Sequence, residues 1–150
     1  MIPGRRRLLA ALAAAAVLPR TGAAHAAGTA EVWKSPTCGC CTKWVKHLEA
    51  HGFRVRVHDV GNNAARARLR IPKELGSCHT ALIAGYAIEG HVPAADILRL
   101  IKERPAAIGL AVPGMPLGSP GMEMEDGRRD RYNVLLVNRN GSTRVFSTHV

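Results

Sequence analysis

Apolar and polar positions change their period several times along this chain, and each change marks an element. Residues Ala30 to Lys34 read as a short strand, and Ser35-Pro36-Thr37 interrupts it. From Cys40 the apolar residues Trp44, Val45 and Leu48 recur at helical spacing until His51-Gly52, where Gly52 supplies a C-terminal stop. Phe53 to Val60 then alternates with period two, which predicts a strand with one buried face. A helix over about Asn63 to Arg70 follows, and a loop through Pro72 and Gly76 carries Cys78-His79. Thr80 to Ala84 and Tyr86 to Glu89 read as two strands around Gly85. Pro93 suits the first turn of a helix with Ile97, Leu98, Leu100 and Ile101 on its apolar face, and Pro105 ends it.

The resulting order, βαβαββα, is that of a thioredoxin-like α/β domain, in which the first helix begins at the redox or metal motif. Beyond it, residues 105–131 are rich in Gly, Pro and Met and are expected to form a loop. Residues 132–150 predict a hairpin of two strands, Tyr132 to Val137 and Thr143 to Thr148, turned at Asn140-Gly141. The hairpin is expected to extend one edge of the sheet. Residues 27–150 are long enough for one domain with its own core, and nothing in them repeats.

The first 26 residues have a different pattern. Arg5-Arg6-Arg7 precedes an apolar run from Leu8 to Leu18, and Ala24-His25-Ala26 supplies a small-residue cleavage pattern, so residues 1–26 read as a signal peptide. The apolar run, about eleven residues, is well short of the roughly 20 needed to span a bilayer. An exported protein with no stable membrane anchor after cleavage is therefore expected, sent to the periplasm by ordinary secretion or, given Arg5-Arg6 before Leu8-Leu9, by the twin-arginine route. Cleavage removes four of the 21 basic residues and none of the 11 acidic ones, so the net charge falls from +10 to about +6. The remaining basic residues lack interleaved aromatics for base stacking, which argues against nucleic acid as a partner. Arg66, Arg68 and Arg70 read as a solvated face.

The chemistry is concentrated in the cysteines. Three of the four sit in Cys38-Gly39-Cys40-Cys41, and the fourth, Cys78, directly precedes His79. In an exported chain cysteines usually staple the fold. Here a Cys38 to Cys41 bridge closes a loop too short to constrain much of the unfolded chain, and adjacent Cys40 and Cys41 would form a strained pair. A helix N-terminus favours thiolates over thiols, and several thiolates crowded together repel unless a cation neutralises them. Three ligands from four consecutive residues cannot easily occupy three corners of one zinc tetrahedron. Copper(I) accepts low coordination numbers and bridging thiolates, and thioether sulfur suits it as well. The Gly114 to Met124 stretch carries Met115, Met122 and Met124, every methionine after residue 26. Copper(I), as a polynuclear thiolate cluster, is thus favoured over zinc.

These residues resemble the CopG-like periplasmic copper proteins, a family long catalogued as a domain of unknown function. The resemblance spans nearly the whole chain after residue 26. It is carried by Pro36-Thr37-Cys38-Gly39-Cys40-Cys41, Ser77-Cys78-His79-Thr80, Gly90-His91-Val92-Pro93-Ala94 and the stretch from Gly114-Met115-Pro116 to Gly121-Met122. It implies a thioredoxin-like fold, copper handling or copper resistance in the cell envelope, and a copper(I) thiolate site on Cys38, Cys40, Cys41 and Cys78, with redox activity and periplasmic copper donors or acceptors as partners. His79, Met115 and Met122 are candidate further ligands. Laying the glutaredoxin-like Thr-Val-Pro loop over this chain puts Cys78-His79-Thr80 in its place, so the proline that usually faces the active cysteines is missing.

Two classes of function stay open on the sequence: a copper(I)-binding protein using all four cysteines, and a thiol-disulfide oxidoreductase using Cys38 as nucleophile and Cys41 as resolving thiol. Cys78 separates them, because a simple oxidoreductase does not need it. His91 is expected to cap or pack against the third helix, and His47, His51 and His58 to lie on helix or strand surfaces. Trp33 and Trp44 read as core residues, and Asp59 and Asp96 show no partner pattern that would make either a general base.

Overall fold

A computed structural model describes residues 27–150; the signal-peptide assignment falls on residues 1–26 and lies outside the described residues. The elements run β1 (Gly28–Lys34), α1 (Gly39–Ala50), β2 (Phe53–His58), α2 (Asn63–Arg68), a 3₁₀ turn (Lys73–Leu75), β3 (His79–Ile83), β4 (Tyr86–Glu89), α3 (Ala94–Glu103), β5 (Ala107–Ala111), β6 (Tyr132–Asn138) and β7 (Thr143–His149). All seven strands join one sheet in the order β2-β1-β3-β4-β5-β6-β7. The first seven regular elements follow the expected thioredoxin-like order, and the C-terminal hairpin extends the sheet. Among the described residues no helix is long and apolar enough to cross a membrane.

β5 is a correction to the expectation that residues 105–131 form a loop. Its sequence, Ala-Ile-Gly-Leu-Ala, has small residues and no clean alternation, so it lacks the signature of a half-buried strand. Four of its five residues are buried, as befits an interior strand covered on both faces. Gly109 permits the close approach: a Cβ there would overlap the Ala87 backbone on the neighbouring strand. β5 pairs parallel to β4 and antiparallel to β6, so it links the first part of the sheet to the hairpin.

The main core lies on the sheet face covered by α1 and α3. Trp44, Val45 and Leu48 of α1 and Ala94, Ile97 and Leu100 of α3 meet Val32, Ala81, Ile88, Leu110, Val134 and Leu136 from the strands. On the other face Ile71 and Leu75 cover Ala87, Ile108 and Val137. Consecutive residues Ala87 and Ile88 thus point into different clusters, which is the period of two that a strand imposes.

Candidate metal centre

Strand register brings the sequence motifs together. Lys34, the last residue of β1, pairs with His79, the first of β3, so the loop that carries Cys38 and the loop that carries Cys78 leave the sheet at one end. The chain leaves β4 at that same end, because β3 and β4 pair antiparallel with Thr80 opposite Glu89. A hydrogen bond from Gly90 N to His79 O (3.0 Å) carries this pairing outward, and continuing the register sets His91 across from Cys78.

Cys38 is the N-cap of α1, and its Sγ accepts from Cys41 N at 3.3 Å, the place usually held by a serine or aspartate oxygen. Cys38 and Cys41 are joined in a disulfide, with Cα atoms 5.4 Å apart. Cys40 and Cys78 are free, half-buried thiols. Cys40 Sγ lies 3.5 Å from Cys38 Sγ and 3.8 Å from Cys78 Sγ. All four sulfurs fall within 4.8 Å of one another. The four cysteines separated by 40 positions of sequence are therefore one cluster in space.

A second group shares Cys78. Its Sγ is 3.4 Å from His79 Nδ1 and 3.1 Å from His91 Nε2, and Cys78, His79 and His91 again lie within 4.8 Å of one another. His91 Nδ1 donates to the Pro120 carbonyl at 2.8 Å; a carbonyl only accepts, so Nε2 is left as the nitrogen with the free lone pair, facing the sulfur. His79 is fully buried, with its ring 4.3 Å from that of Trp44 and edge-on to His91 at 4.9 Å. Its Nε2 is buried without a hydrogen-bond partner.

Electrostatics keep this end of the sheet neutral. Burial, and then the neighbouring His91, hold the His79 pKa down to about 3. Burial lowers that of His91 as well. Burial first, and then the nearby Cys40, push the Cys78 thiol up to about 12. Metal-free Cys78 thus keeps its proton at neutral pH, and a cation that binds it must displace that proton.

His91 differs from its expected helix-packing role. The N-terminus of α3 is capped instead by His47, whose Nε2 accepts from Ala94 N at 3.0 Å. The sequence held a signal for His91: a hairpin turning at Ala84-Gly85 places residues 78 and 91 opposite each other. The methionines divide. Met115 is exposed and lines a surface cavity of about 470 Å³ together with Cys78, Ser77, Arg66 and Lys73. Met122 is half-buried in the turn that follows Gly121, with its backbone N bonded to Ser119 O at 2.8 Å. Gly121 packs on α1 so closely that a Cβ would come within 2.7 Å of Cys40 O and 2.9 Å of Trp44 N. This turn therefore covers the first turn of the cysteine helix.

Buried Lys34 pairs with Asp59 at 2.6 Å. Arg66 is not part of a solvated face: its Nε pairs with fully buried Glu89 at 2.8 Å. Arg68 lies 4.8 Å over the Trp33 ring. Asp96 meets His149 Nε2 at 2.7 Å.

Comparison with known proteins agrees with this geometry. A solved structure titled "Copper resistance protein copG- Form 1" is 50% identical, with a TM-score of 0.75, over 81% of this chain and 96% of that one. The chain belongs to the CopG copper resistance family. A second solved CopG structure, "Form 2", is 48% identical with a TM-score of 0.77, over 82% of this chain and 98% of that one. A family described as "Protein of unknown function, DUF411" matches residues 75–122, which include Cys78, His79, His91, Met115 and Met122. A search of curated proteins finds no match.

Proposed function

We propose that the protein is an exported, periplasmic copper(I)-binding protein of copper homeostasis and resistance, and that it holds copper through Cys38, Cys40, Cys41 and Cys78 as a redox-active polynuclear thiolate cluster. The observation that carries this reading is the convergence of four sulfurs within 4.8 Å. Two sulfurs bound to one tetrahedral ion at about 2.3 Å stand about 3.8 Å apart. The Cys40–Cys78 separation is 3.8 Å. The donor set fits a soft ion: sulfur first, then neutral imidazole nitrogen with a free lone pair. His91 and His79 are candidate ligands beside Cys78, and Met115 and Met122 are candidate thioether donors. The titles of the CopG relatives support copper as the cargo. In this reading its partners are periplasmic copper donors or acceptors.

The Cys38–Cys41 disulfide sets a condition on loading. Two electrons and two protons from a thiol reductant convert it to two thiols, and the copper ions then displace protons from the four cysteines. That disulfide at a helix start also favours a second reading, a thiol-disulfide oxidoreductase working through Cys38 and Cys41. Replacing Cys78 by Ser distinguishes the two. The copper reading expects fewer copper ions per chain in C78S, with the Cys38–Cys41 disulfide still forming, as measured by metal analysis and by mass spectrometry after thiol alkylation. Unchanged copper loading would remove Cys78 from the site.

A further inference from the structure

Cys78 precedes β3, whose first residue is His79, so the strand's own pairing with β1 begins one residue too late to fix it. What holds the chain at this point is side-chain bonding to its neighbour, Ser77. The Ser77 N–H donates to Glu89 Oε1 at 2.7 Å. The Ser77 carbonyl accepts from Arg66 Nη2 at 2.5 Å and from Asn62 Nδ2 at 3.2 Å. The Ser77 hydroxyl donates to the Gly114 carbonyl at 2.6 Å. Every polar group of Ser77 is thus engaged, from α2, β4 and the loop after β5.

Glu89 is the hub. Its carboxylate, fully buried, also accepts from Arg66 Nε at 2.8 Å and from Thr80 Oγ1 at 2.6 Å. Asn62 Nδ2 in turn donates to Thr80 Oγ1 at 3.1 Å. Gly90 closes the remaining space, since a Cβ there would come within 2.5 Å of Val112 O and 2.6 Å of the Ser77 Cβ. A buried ion pair is weak evidence for stability, because its desolvation cost offsets much of the attraction. Stability alone is therefore a poor account of why an acid and a base are spent under this loop.

We infer that Glu89, with Arg66 and Asn62, is a positioning device that clamps Ser77 and thereby fixes Cys78 against Cys40 and the α1 cysteines. The inference rests on the copper reading for its purpose and on the hydrogen-bond geometry for its action. None of the three clamp residues touches a sulfur in the contacts above; each acts through the backbone of the residue next to a ligand, as the outer partners of metal ligands do.

The test uses Glu89→Gln, which keeps length and one acceptor oxygen but removes the charge, and Asn62→Ala, a milder variant that guards against misfolding of the first. Copper(I) affinity is read by competition with a chelator, and in the copper-free protein the alkylation rates of Cys78 and Cys40 are read separately by peptide mapping. The clamp predicts copper(I) binding weakened about tenfold, faster alkylation of Cys78, and little change at Cys40. A lowered unfolding midpoint with wild-type copper affinity and a wild-type Cys78 rate would overturn it, leaving Glu89 a structural residue. Should the wild-type protein itself take up no copper, the copper reading fails, and the alkylation rates still decide the clamp.

Discussion

His79 concentrates the conflicting demands of the site in one side chain. It is buried against Trp44, edges His91, and has an Nε2 with no hydrogen-bond partner, so it stays neutral with a pKa near 3. An unfolded histidine titrates near 6.5. Below that pH the unfolded chain takes up a proton that the folded chain refuses, so stability present above about pH 6.5 is lost progressively as the pH falls toward 3. The penalty accrues at about 1.4 kcal/mol per pH unit for a group fully coupled in this way. In metal-free protein, His79→Gln should therefore flatten the dependence of unfolding free energy on pH between 6 and 4, as read by urea denaturation. Parallel curves for the variant and the wild type would contradict the burial account. Glu89, whose carboxyl burial raises, acts in the opposite sense, and comparing two proteins that both retain it isolates the histidine. At this scale the sequence revealed the sulfurs and His79 beside them, and His91 was the group it did not single out. Cys38, Cys40 and Cys41 are crowded within one turn of chain, where spacing alone implies chemistry. His91 and Arg66 depend on partners brought in by sheet register: His91 could be placed only by counting back across the Ala84-Gly85 turn to Cys78, and a run of arginines carries no trace of a buried partner.

Elements were legible where their periodicity was strong. α1 and β2 follow their predicted bounds closely, because Trp44, Val45 and Leu48 mark one helix face and Phe53 to His58 alternates. β5 was not legible, since a short strand buried on both faces and built from Ala and Gly has no alternation to read. Its absence from the reading also obscured how the C-terminal hairpin joins: β6 pairs with β5, which no edge of the predicted sheet offered. The Met-bearing loop likewise turned out to have a fixed seat. Gly121 has φ +89°, lies against Cys40 O and Trp44 N, and adjoins the Pro120 carbonyl that orients His91. Gly121→Ala introduces both a strained backbone conformation and a clash with the backbone of α1. It should cost about 1–3 kcal/mol in chemical denaturation and raise the alkylation rate of Cys40 as the turn lifts. A variant as stable as wild type, with Cys40 reacting no faster, would show that the turn does not seat on the helix.

Over the whole molecule, the sheet serves to bring four separate stretches of chain to one end: the loop before α1, the loop before β3, the exit of β4 and the segment after β5. The hairpin of β6 and β7 adds Val134, Leu136 and Phe146 to the main core, so the extension beyond the thioredoxin-like part is built into the fold. Membership of the CopG family and the sulfur cluster point to the same cargo from independent directions. The most direct test of that claim is an anaerobic copper(I) titration of the fully reduced protein, residues 27–150, against a competing chelator, with a zinc titration beside it. The account predicts tight uptake of several copper ions per chain and weak zinc binding. Weak copper uptake, together with rapid thiol exchange through Cys38 and Cys41, would contradict it and assign the site to disulfide chemistry.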